Sequence, residues 1–272
     1  MEIEQTTRQG KLRPFLKSTS LVVIGVLLGL NLSGFYFNQS EAESTTSKPA
    51  VAGTTTSQSD NYSALIKSLS PQVVTIYTET GMGSGFLYGD EGYVITNAHV
   101  TLDGTEVEVW NAYGHYSEGE IVGISEYMDI ALVKVPDYTG EIGLAIDREA
   151  VIPVGTPILT ISAPYGLEHT ASLGYITGRE RNLEMDSASS YNQFIQFDGQ
   201  VGPGSSGGPL FDRSTGEVIG IITQTGGDFG EIKYAIPVED ALYFVDRWLK
   251  KPMQAKTIEE VQSNLKQLYE WE

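Results

Sequence analysis

Two adjacent serines lie in a run of glycine and proline, GPGSSGGPLFD, at residues 202–212. Glycine permits backbone conformations that other residues avoid, and it lets a second molecule approach closely. The run therefore predicts a rigid surface turn that presents one hydroxyl, from Ser205 or from Ser206. An ordinary polar loop is the alternative, and the turn alone does not distinguish the two.

Two further side chains are of the types that can activate a hydroxyl. His99 ends the stretch GYVITNAHV, which is typical of a strand, so its imidazole is placed at the end of a rigid element. Asp129 precedes the apolar stretch IALVKV, where a carboxylate is costly to bury without a partner. Each has a plausible structural role when it is considered alone. His115 and His169 lie among turn residues and are interpreted as solvated loop histidines.

Together these residues follow the order His99, Asp129, Ser206, which is the order of chymotrypsin and differs from those of subtilisin and the α/β-hydrolases. The chain also resembles the HtrA (Deg-type) trypsin-like serine proteases over roughly residues 63–245. The segments that carry the resemblance are GSGFLYGDEGYVITNAHV, DIALVKV, GTPILTISAPYGL, GPGSSGGPLFD and the pair IGIIT and YAIP.

The resemblance implies a serine endopeptidase that hydrolyses unfolded or exported polypeptides. Ser206 is then the nucleophile, His99 takes its proton, and Asp129 orients the imidazole. The backbone N–H groups of Gly204 and Ser206 form the oxyanion hole, and Ser205 has no catalytic role. Because His99 must be neutral, the rate should rise with a pKa of roughly 6 to 7. Neither a metal nor a cofactor is implied.

The resemblance also implies how a polypeptide substrate binds. It adds as a β-strand along Ile222, Thr223 and Gln224, which are expected to form an edge strand. Val201 is expected in the wall of the pocket for the side chain before the scissile bond. Gln200 stands where a trypsin has a carboxylate, so we expect a small or medium aliphatic side chain in this pocket rather than arginine or lysine.

The fold class is predicted to be all-β. Short apolar or alternating runs recur between glycine, proline and aspartate turns, which favours a sandwich or a barrel. The resemblance narrows this to two packed antiparallel β-barrels of the chymotrypsin type. The first barrel is expected at about residues 61–150 and the second at about residues 151–237.

Helical periodicity is found only near the carboxyl end. Residues 238–250 are predicted to form a closing helix, whose apolar face carries Val238, Leu242, Val245 and Leu249. Residues 251–272 are predicted to form an amphipathic helix, with Thr257 and Glu260 as a candidate capping box. Its apolar stripe is expected to dock on a barrel or on a neighbouring subunit of a homo-oligomer, and it consists of Ile258, Val261, Leu265 and Leu268.

Composition excludes several classes of protein. The 272 residues carry a net charge of −18, and residues 61–272 hold 30 acidic against 12 basic side chains. An acidic domain of this kind repels a phosphate backbone, so no nucleic-acid partner is expected. The absence of cysteine excludes disulfides, zinc–thiolate sites and thiol catalysis.

The amino end predicts contact with the lipid bilayer. Thr19–Phe37 is an uncharged stretch of about nineteen residues, close to the ~20 that span a membrane as a helix. The basic side chains precede it at Arg8, Lys11, Arg13 and Lys17. This distribution places residues 1–18 in the cytoplasm and the rest of a bacterial, single-pass protein outside it. A signal peptide cleaved after Ala42 is the alternative.

Residues 38–60 are rich in serine and threonine and are expected to form a flexible linker. Residues 251–272 are too few for the PDZ domain that most HtrA relatives carry, so none is expected. Two other functions remain open. One is a peptide-binding or chaperone module whose triad is rarely assembled, and the other is a membrane-anchored scaffold that acts through the carboxyl-terminal helix.

Overall fold

Two antiparallel β-barrels and three helices form the described part of the chain. The structure is a computed structural model, and it describes residues 58–148, 152–181, 191, 193–226 and 232–269. Within these residues there are twelve strands and three α-helices. The helices are α1 (Gln58–Leu69), α2 (Val238–Lys250) and α3 (Ala255–Tyr269).

The first barrel closes through the pairing of its first and fourth strands. Its strands are β1 (Val73–Tyr77), β2 (Met82–Tyr88), β3 (Glu91–Thr96), β4 (Glu106–Trp110), β5 (Tyr116–Ser125) and β6 (Ile130–Thr139). They follow one another around the barrel as β1-β2-β3-β6-β5-β4, and Ile76 pairs with Val109 where the barrel closes. Both side chains are fully buried inside it, because alternate residues of a strand face the same side.

The second barrel has the same number of strands. They are β7 (Pro157–Ser162), β8 (Thr170–Arg181), β9 (Phe194–Phe197), β10 (Pro209–Asp212), β11 (Val218–Gly226) and β12 (Ile232–Pro237). Their order is β10-β11-β12-β9-β8-β7, and β7 closes the barrel by pairing with β10. The predicted all-β fold with two antiparallel barrels and carboxyl-terminal helices is therefore confirmed.

Each barrel has an apolar core of its own, and a third apolar cluster lies between the two barrels. Phe86 of the first barrel and Leu159 and Phe211 of the second are all fully buried in it. The helix α2 closes this cluster with Val245 and Trp248. Acidic side chains in the first turn of α2 and basic ones in its last turn also complement the helix dipole.

The helix α1 was not expected, because helical periodicity was found only near the carboxyl end. Its Leu65, Ile66 and Leu69 pack against the cluster between the barrels. Isolated short helices are marginal in water, so this tertiary contact, more than the local sequence, stabilises the helix. It ends just before a short 3-10 turn that contains Pro71.

The helix α3 docks on the first barrel, as its apolar stripe predicts. Ile258 and Leu265 are fully buried in the core cluster of that barrel. The candidate capping box was wrong, because the backbone N–H of Thr257 already donates to the Gln254 carbonyl at 2.9 Å. Thr257 therefore lies inside the first turn, and it cannot serve as the residue that caps α3.

The predicted membrane span Thr19–Phe37 and most of the predicted linker lie outside the described residues. Among the helices that the structure describes, none combines the length and the apolar character needed to cross a bilayer.

Candidate active site

His99 and Asp129 are in direct contact. His99 begins a 3-10 turn, His99–Thr101, that follows β3, and Asp129 precedes β6, the strand paired with β3. Three pairs of atoms make the contact. His99 Nδ1 lies 2.8 Å from Asp129 Oδ2 and 3.0 Å from Oδ1, and the backbone N–H of His99 donates to Oδ1 at 3.0 Å. The carboxylate thereby holds both the ring and the main chain of His99.

Asp129 is held in an unusual backbone conformation. Its φ of 56° lies in the left-handed region, which is uncommon for residues other than glycine. The conformation brings the carboxylate to a third donor, because Thr223 Oγ1 of β11 donates to Asp129 Oδ2 at 2.7 Å. Strain of this kind is concentrated at functional sites, where several contacts maintain it.

The contact with Asp129 changes the pKa of His99. Burial of the imidazole acts to lower this pKa, but the charge of Asp129 and its hydrogen bond outweigh burial, and the pKa is raised above 6.5. Because Nδ1 faces the carboxylate and carries the proton, Nε2 is the basic nitrogen of the neutral ring.

The two serines of the turn differ in exposure. Ser205 is only 1% exposed, and its Oγ accepts from Ser162 Oγ at 3.1 Å and from the Gly202 N–H at 3.2 Å. Ser206 is half-buried, and its Oγ donates to the Thr223 carbonyl at 3.2 Å. Thr223 thus contacts Asp129 through its side chain and Ser206 through its main chain.

Two peptide groups of the turn have fixed directions. The Pro203 carbonyl accepts from Tyr165 N–H at 2.6 Å, and the Ser205 carbonyl accepts from Gly208 N–H at 3.0 Å. A trans peptide points its C=O and N–H to opposite sides. The N–H groups of Gly204 and Ser206 therefore face away from these contacts, and neither donates to an acceptor among the described residues.

The first barrel holds this turn through Ser84 of β2, a residue that the sequence reasoning missed. The fully buried Ser84 Oγ donates to the Gly204 carbonyl at 2.7 Å and accepts from Ala163 N–H at 3.0 Å. The backbone N–H of Ser84 donates to the Ser206 carbonyl at 2.8 Å. A hydroxyl between two glycines in an apolar strand was the signal that could have identified it.

At two positions of the turn, the backbone conformation and the available space favour glycine over any other residue. Gly204 and Gly207 have φ values of +95° and +85°, which other residues rarely adopt. A Cβ at Gly204 would clash with the Ala163 carbonyl, and one at Gly207 would clash with the Ser84 carbonyl. Glycine is therefore required at position 204 by the close approach of the main chain that follows β7, and at position 207 by the close approach of β2 of the first barrel.

A small pocket of about 180 Å³ adjoins Ser206, and its lining includes Val201, Ile222 and Thr223. The expectation that Ile222 pairs with a substrate strand was wrong, because its N–H already donates to Gly208 and its carbonyl accepts from Gly207. Ile222 can contribute only its side chain. In β11 the described pairing with β10 ends before Thr223, and Gln224 pairs with Tyr234 of β12.

The other two histidines lie in loops. His115 is exposed, as expected. His169 is not solvated, because both ring nitrogens are buried and neither has a hydrogen-bond partner among the described residues. Burial lowers its pKa, and the nearby Glu168 charge opposes this effect. The interpretation of His169 as a solvated loop histidine was therefore wrong.

Comparison with known families identifies the domain. The family described as trypsin-like peptidase domain matches residues 83–221, which is about half of the chain. The chain belongs to the trypsin-like peptidase family. The matched residues of this peptidase domain include His99, Asp129 and Ser206.

Individual relatives place the peptidase domain among those of HtrA type. A probable periplasmic serine endoprotease, DegP-like, from Ectopseudomonas mendocina is 38% identical over 165 residues, covering 59% of this chain and 34% of that protein. Its counterpart from Halomonas elongata is 37% identical over 170 residues, covering 61% of this chain and 35% of that protein. The chain thus matches only about a third of the length of these relatives.

Solved structures agree with this placement. The HtrA-type protease AlgW with a tripeptide gives a TM-score of 0.62 at 30% identity, covering 68% of this chain and 62% of that chain. The serine endoprotease from Yersinia pestis gives a TM-score of 0.61 at 27% identity, covering 70% of this chain and 67% of that chain.

Proposed function

We propose that the protein is a serine endopeptidase that cleaves polypeptides through His99, Asp129 and Ser206. The contact between His99 and Asp129 at 2.8 Å carries the proposal, because with Nδ1 facing the carboxylate, Nε2 is the nitrogen that acts as the base. Thr223 connects the same carboxylate to the Ser206 hydroxyl. The similarity to serine endoproteases of the HtrA type supports it.

In the proposed reaction His99 Nε2 takes the proton of Ser206 Oγ as that oxygen attacks the peptide carbonyl. The proton must be redirected from the Thr223 carbonyl, and that bond, at 3.2 Å, is long enough to be exchanged at low cost. The imidazolium then forms beside Asp129 and later gives the proton to the leaving amine. Asp129 also accepts from Thr223 Oγ1, so the carboxylate keeps its orientation throughout.

The developing oxyanion is assigned to the N–H groups of Gly204 and Ser206. The carbonyl on the far side of each peptide is already bonded, so the two donors require no reorganisation when the charge appears. Donors of this kind contribute about 3–4 kcal/mol each to the stabilisation of the transition state.

The proposed substrates are unfolded or exported polypeptides bound as an added β-strand. The tripeptide complex of AlgW supports the binding of a short peptide. The strand would pair from Thr223 onward, because the main chain of Ile222 is occupied. The small pocket lined by Val201 and Ile222 favours a small or medium aliphatic side chain before the scissile bond.

We also propose that the peptidase domain of this bacterial protein works outside the cytoplasm, tethered to the membrane by Thr19–Phe37. The periplasmic relatives support the location, and the uncharged stretch after four basic residues supports the tether.

Paired serine variants test the proposed activity. Ser206→Ala should lower turnover of a casein or peptide substrate by on the order of 10⁶-fold and abolish labelling by a fluorophosphonate, because the triad acts as a unit. Ser205→Ala is the matched control and should keep the labelling. It should cost about 1 kcal/mol of stability, since the Gly202 N–H loses its acceptor. Equal losses of turnover in the two variants, or labelling of Ser206→Ala, would contradict the assignment.

A further inference from the structure

A second cavity lies beside His99, on the first barrel and away from the pocket near Val201. Its volume is about 350 Å³, and its described lining includes His99, Met82 and Leu102 of the first barrel. Lys266 of α3 also lines it. A side chain of the carboxyl-terminal helix therefore lines the same cavity as the proposed base.

The helix α3 is firmly attached at this place. The nearly fully buried Gln262 donates from Nε2 to the Thr101 carbonyl at 2.5 Å and to the Gly104 carbonyl at 2.7 Å. Thr101 ends the 3-10 turn that His99 begins. Leu265, the residue before Lys266, is fully buried in the core of the first barrel. Lys266 is thus presented by a fixed element.

The chemistry of peptide hydrolysis determines which part of a substrate reaches this cavity. His99 must give its proton to the leaving amine, so the residues after the scissile bond depart past the imidazole. An extended chain advances about 3.3 Å per residue. A substrate whose side chain before the scissile bond enters the pocket near Val201 would therefore carry its first or second side chain after that bond toward the cavity that His99 lines.

The cavity combines an apolar floor with a cationic rim. Met82, Val100 and Leu102 supply the apolar part. At the rim, Lys266 Nζ lies 3.3 Å from Asp103 Oδ1, and the Lys266 side chain is 45% exposed while that of Asp103 is 10% exposed.

Asp103 is already satisfied by protein donors. Its carboxylate accepts from the Thr80 N–H at 3.0 Å and from the Thr80 hydroxyl, and these bonds, together with Lys266, hold its pKa low. An ammonium has three donors, and Asp103 takes one from Lys266. The accessible charge of the rim is therefore positive, and an incoming cationic side chain would face Lys266.

We propose that this cavity is the subsite for the residue that follows the scissile bond by one or two positions, and that Lys266 makes it select glutamate. The aliphatic part of a glutamate side chain covers Met82 and Val100, and its carboxylate reaches the Lys266 ammonium. The proposal rests on the proposed peptidase activity and adds a specificity-determining residue on α3.

Matched peptides test the subsite. The full-length protein in mild detergent is given quenched fluorescent peptides with valine before the scissile bond and either glutamate or lysine at the first and second positions after it. Mass spectrometry verifies the cleaved bond. The unchanged protein should have the higher kcat/KM for the glutamate peptides. Lys266→Met should lower the ratio of the two values about threefold to fivefold, as expected for one partly exposed ion pair, and Lys266→Arg should preserve it.

The ratio of kcat/KM for the glutamate peptides to that for the lysine peptides separates a change of specificity from structural damage. A general disturbance of the His99 turn would lower both kcat/KM values together and leave their ratio unchanged. Lys256→Met is the matched control on the same helix, since Lys256 is 85% exposed and lies 3.8 Å from Glu260, outside the cavity. No glutamate preference in the unchanged protein, or an equal ratio in Lys266→Met, overturns the subsite. If the unchanged protein cleaves nothing, the proposed activity fails, and the binding affinities of the labelled peptides, compared in the same variants, decide the subsite separately.

Discussion

At the residue scale, Asp129 organises the site. Its carboxylate accepts hydrogen bonds from His99 Nδ1, from the His99 backbone N–H and from the Thr223 hydroxyl. The backbone of Asp129 is in a left-handed conformation. One carboxylate thereby links the strand ends of the first barrel to β11 of the second. Two predictions concern single residues of this arrangement.

The first is a pH dependence. In the proposed mechanism His99 must be neutral to accept the Ser206 proton, so kcat/KM should fall as the pH drops through the raised pKa, and the midpoint of the acid limb should lie above the ordinary histidine value. Asp129→Asn removes the causes that raise the pKa and leaves burial, so the limb should move to lower pH, with a plateau ~10⁴-fold lower. Profiles of kcat/KM from about pH 5 to 9 measure both, and an equal midpoint in the two proteins would refute the role of Asp129.

The raised pKa of His99 also makes the stability of the fold depend on pH, and this dependence runs in the opposite direction to that of the activity. A raised pKa in the folded state stabilises the fold fully below the unfolded value of about 6.5, and this contribution is lost as the pH rises through the folded pKa. The difference in Tm between the unchanged protein and Asp129→Asn should therefore narrow toward alkaline pH.

The second concerns Ser84. Ser84→Ala leaves the Gly204 carbonyl and the Ala163 N–H without their partner, which should cost about 1–3 kcal/mol of stability. The Gly204 carbonyl also loses the hydrogen bond that positions the turn before Ser206. The variant should therefore lower kcat by a larger factor than it changes KM. Ser162→Ala is the control, since it removes a buried hydroxyl that contacts only the Ser205 side chain. Steady-state kinetics that show the same loss of kcat in both variants would rule out a positioning role for Ser84.

At the element scale, the strands follow from local pattern while the helices depend on what they contact. Alternation along β4, for example, places Val107 and Val109 inside the barrel and its glutamates outside. The helix α1 escaped the sequence reasoning because its stability comes from packing against the cluster between the barrels. The helix α3 was expected, but its position beside His99 was not.

A prediction for α3 follows from the burial of Leu265. Leu265→Ala should reduce the free energy of unfolding by about 2–5 kcal/mol, because a fully buried side chain leaves a cavity. Gln267→Ala, at an exposed neighbouring position, should change it little. Urea unfolding curves measure both, and equal midpoints would show that α3 is not docked in solution. Deletion of residues 257–272 should likewise lower the Tm.

At the scale of the whole molecule, the proposed tether predicts how the chain partitions. The full-length protein should stay with the membrane after carbonate washing, with residues 61 onward accessible to external protease, because an uncharged stretch of this length inserts as a helix. A variant without residues 19–37 should be recovered in the soluble fraction. Recovery of a soluble unchanged chain that begins near Glu43 would instead favour cleavage after Ala42.

The sequence by itself determined the all-β class and the short strands, because alternation and turn residues are local properties. It also supplied His99, Asp129 and Ser206 as the proposed triad, through their order and the family resemblance. Tertiary structure alone decided that Ser205 is buried while Ser206 is accessible, and that Thr223 contacts Asp129 across 94 positions. It likewise brought Ser84 to Gly204 across 120 positions and Lys266 to the cavity beside His99. These contacts join residues far apart in the chain, and they arise only when the closed barrels pack against each other and against α3, so no local pattern encodes them.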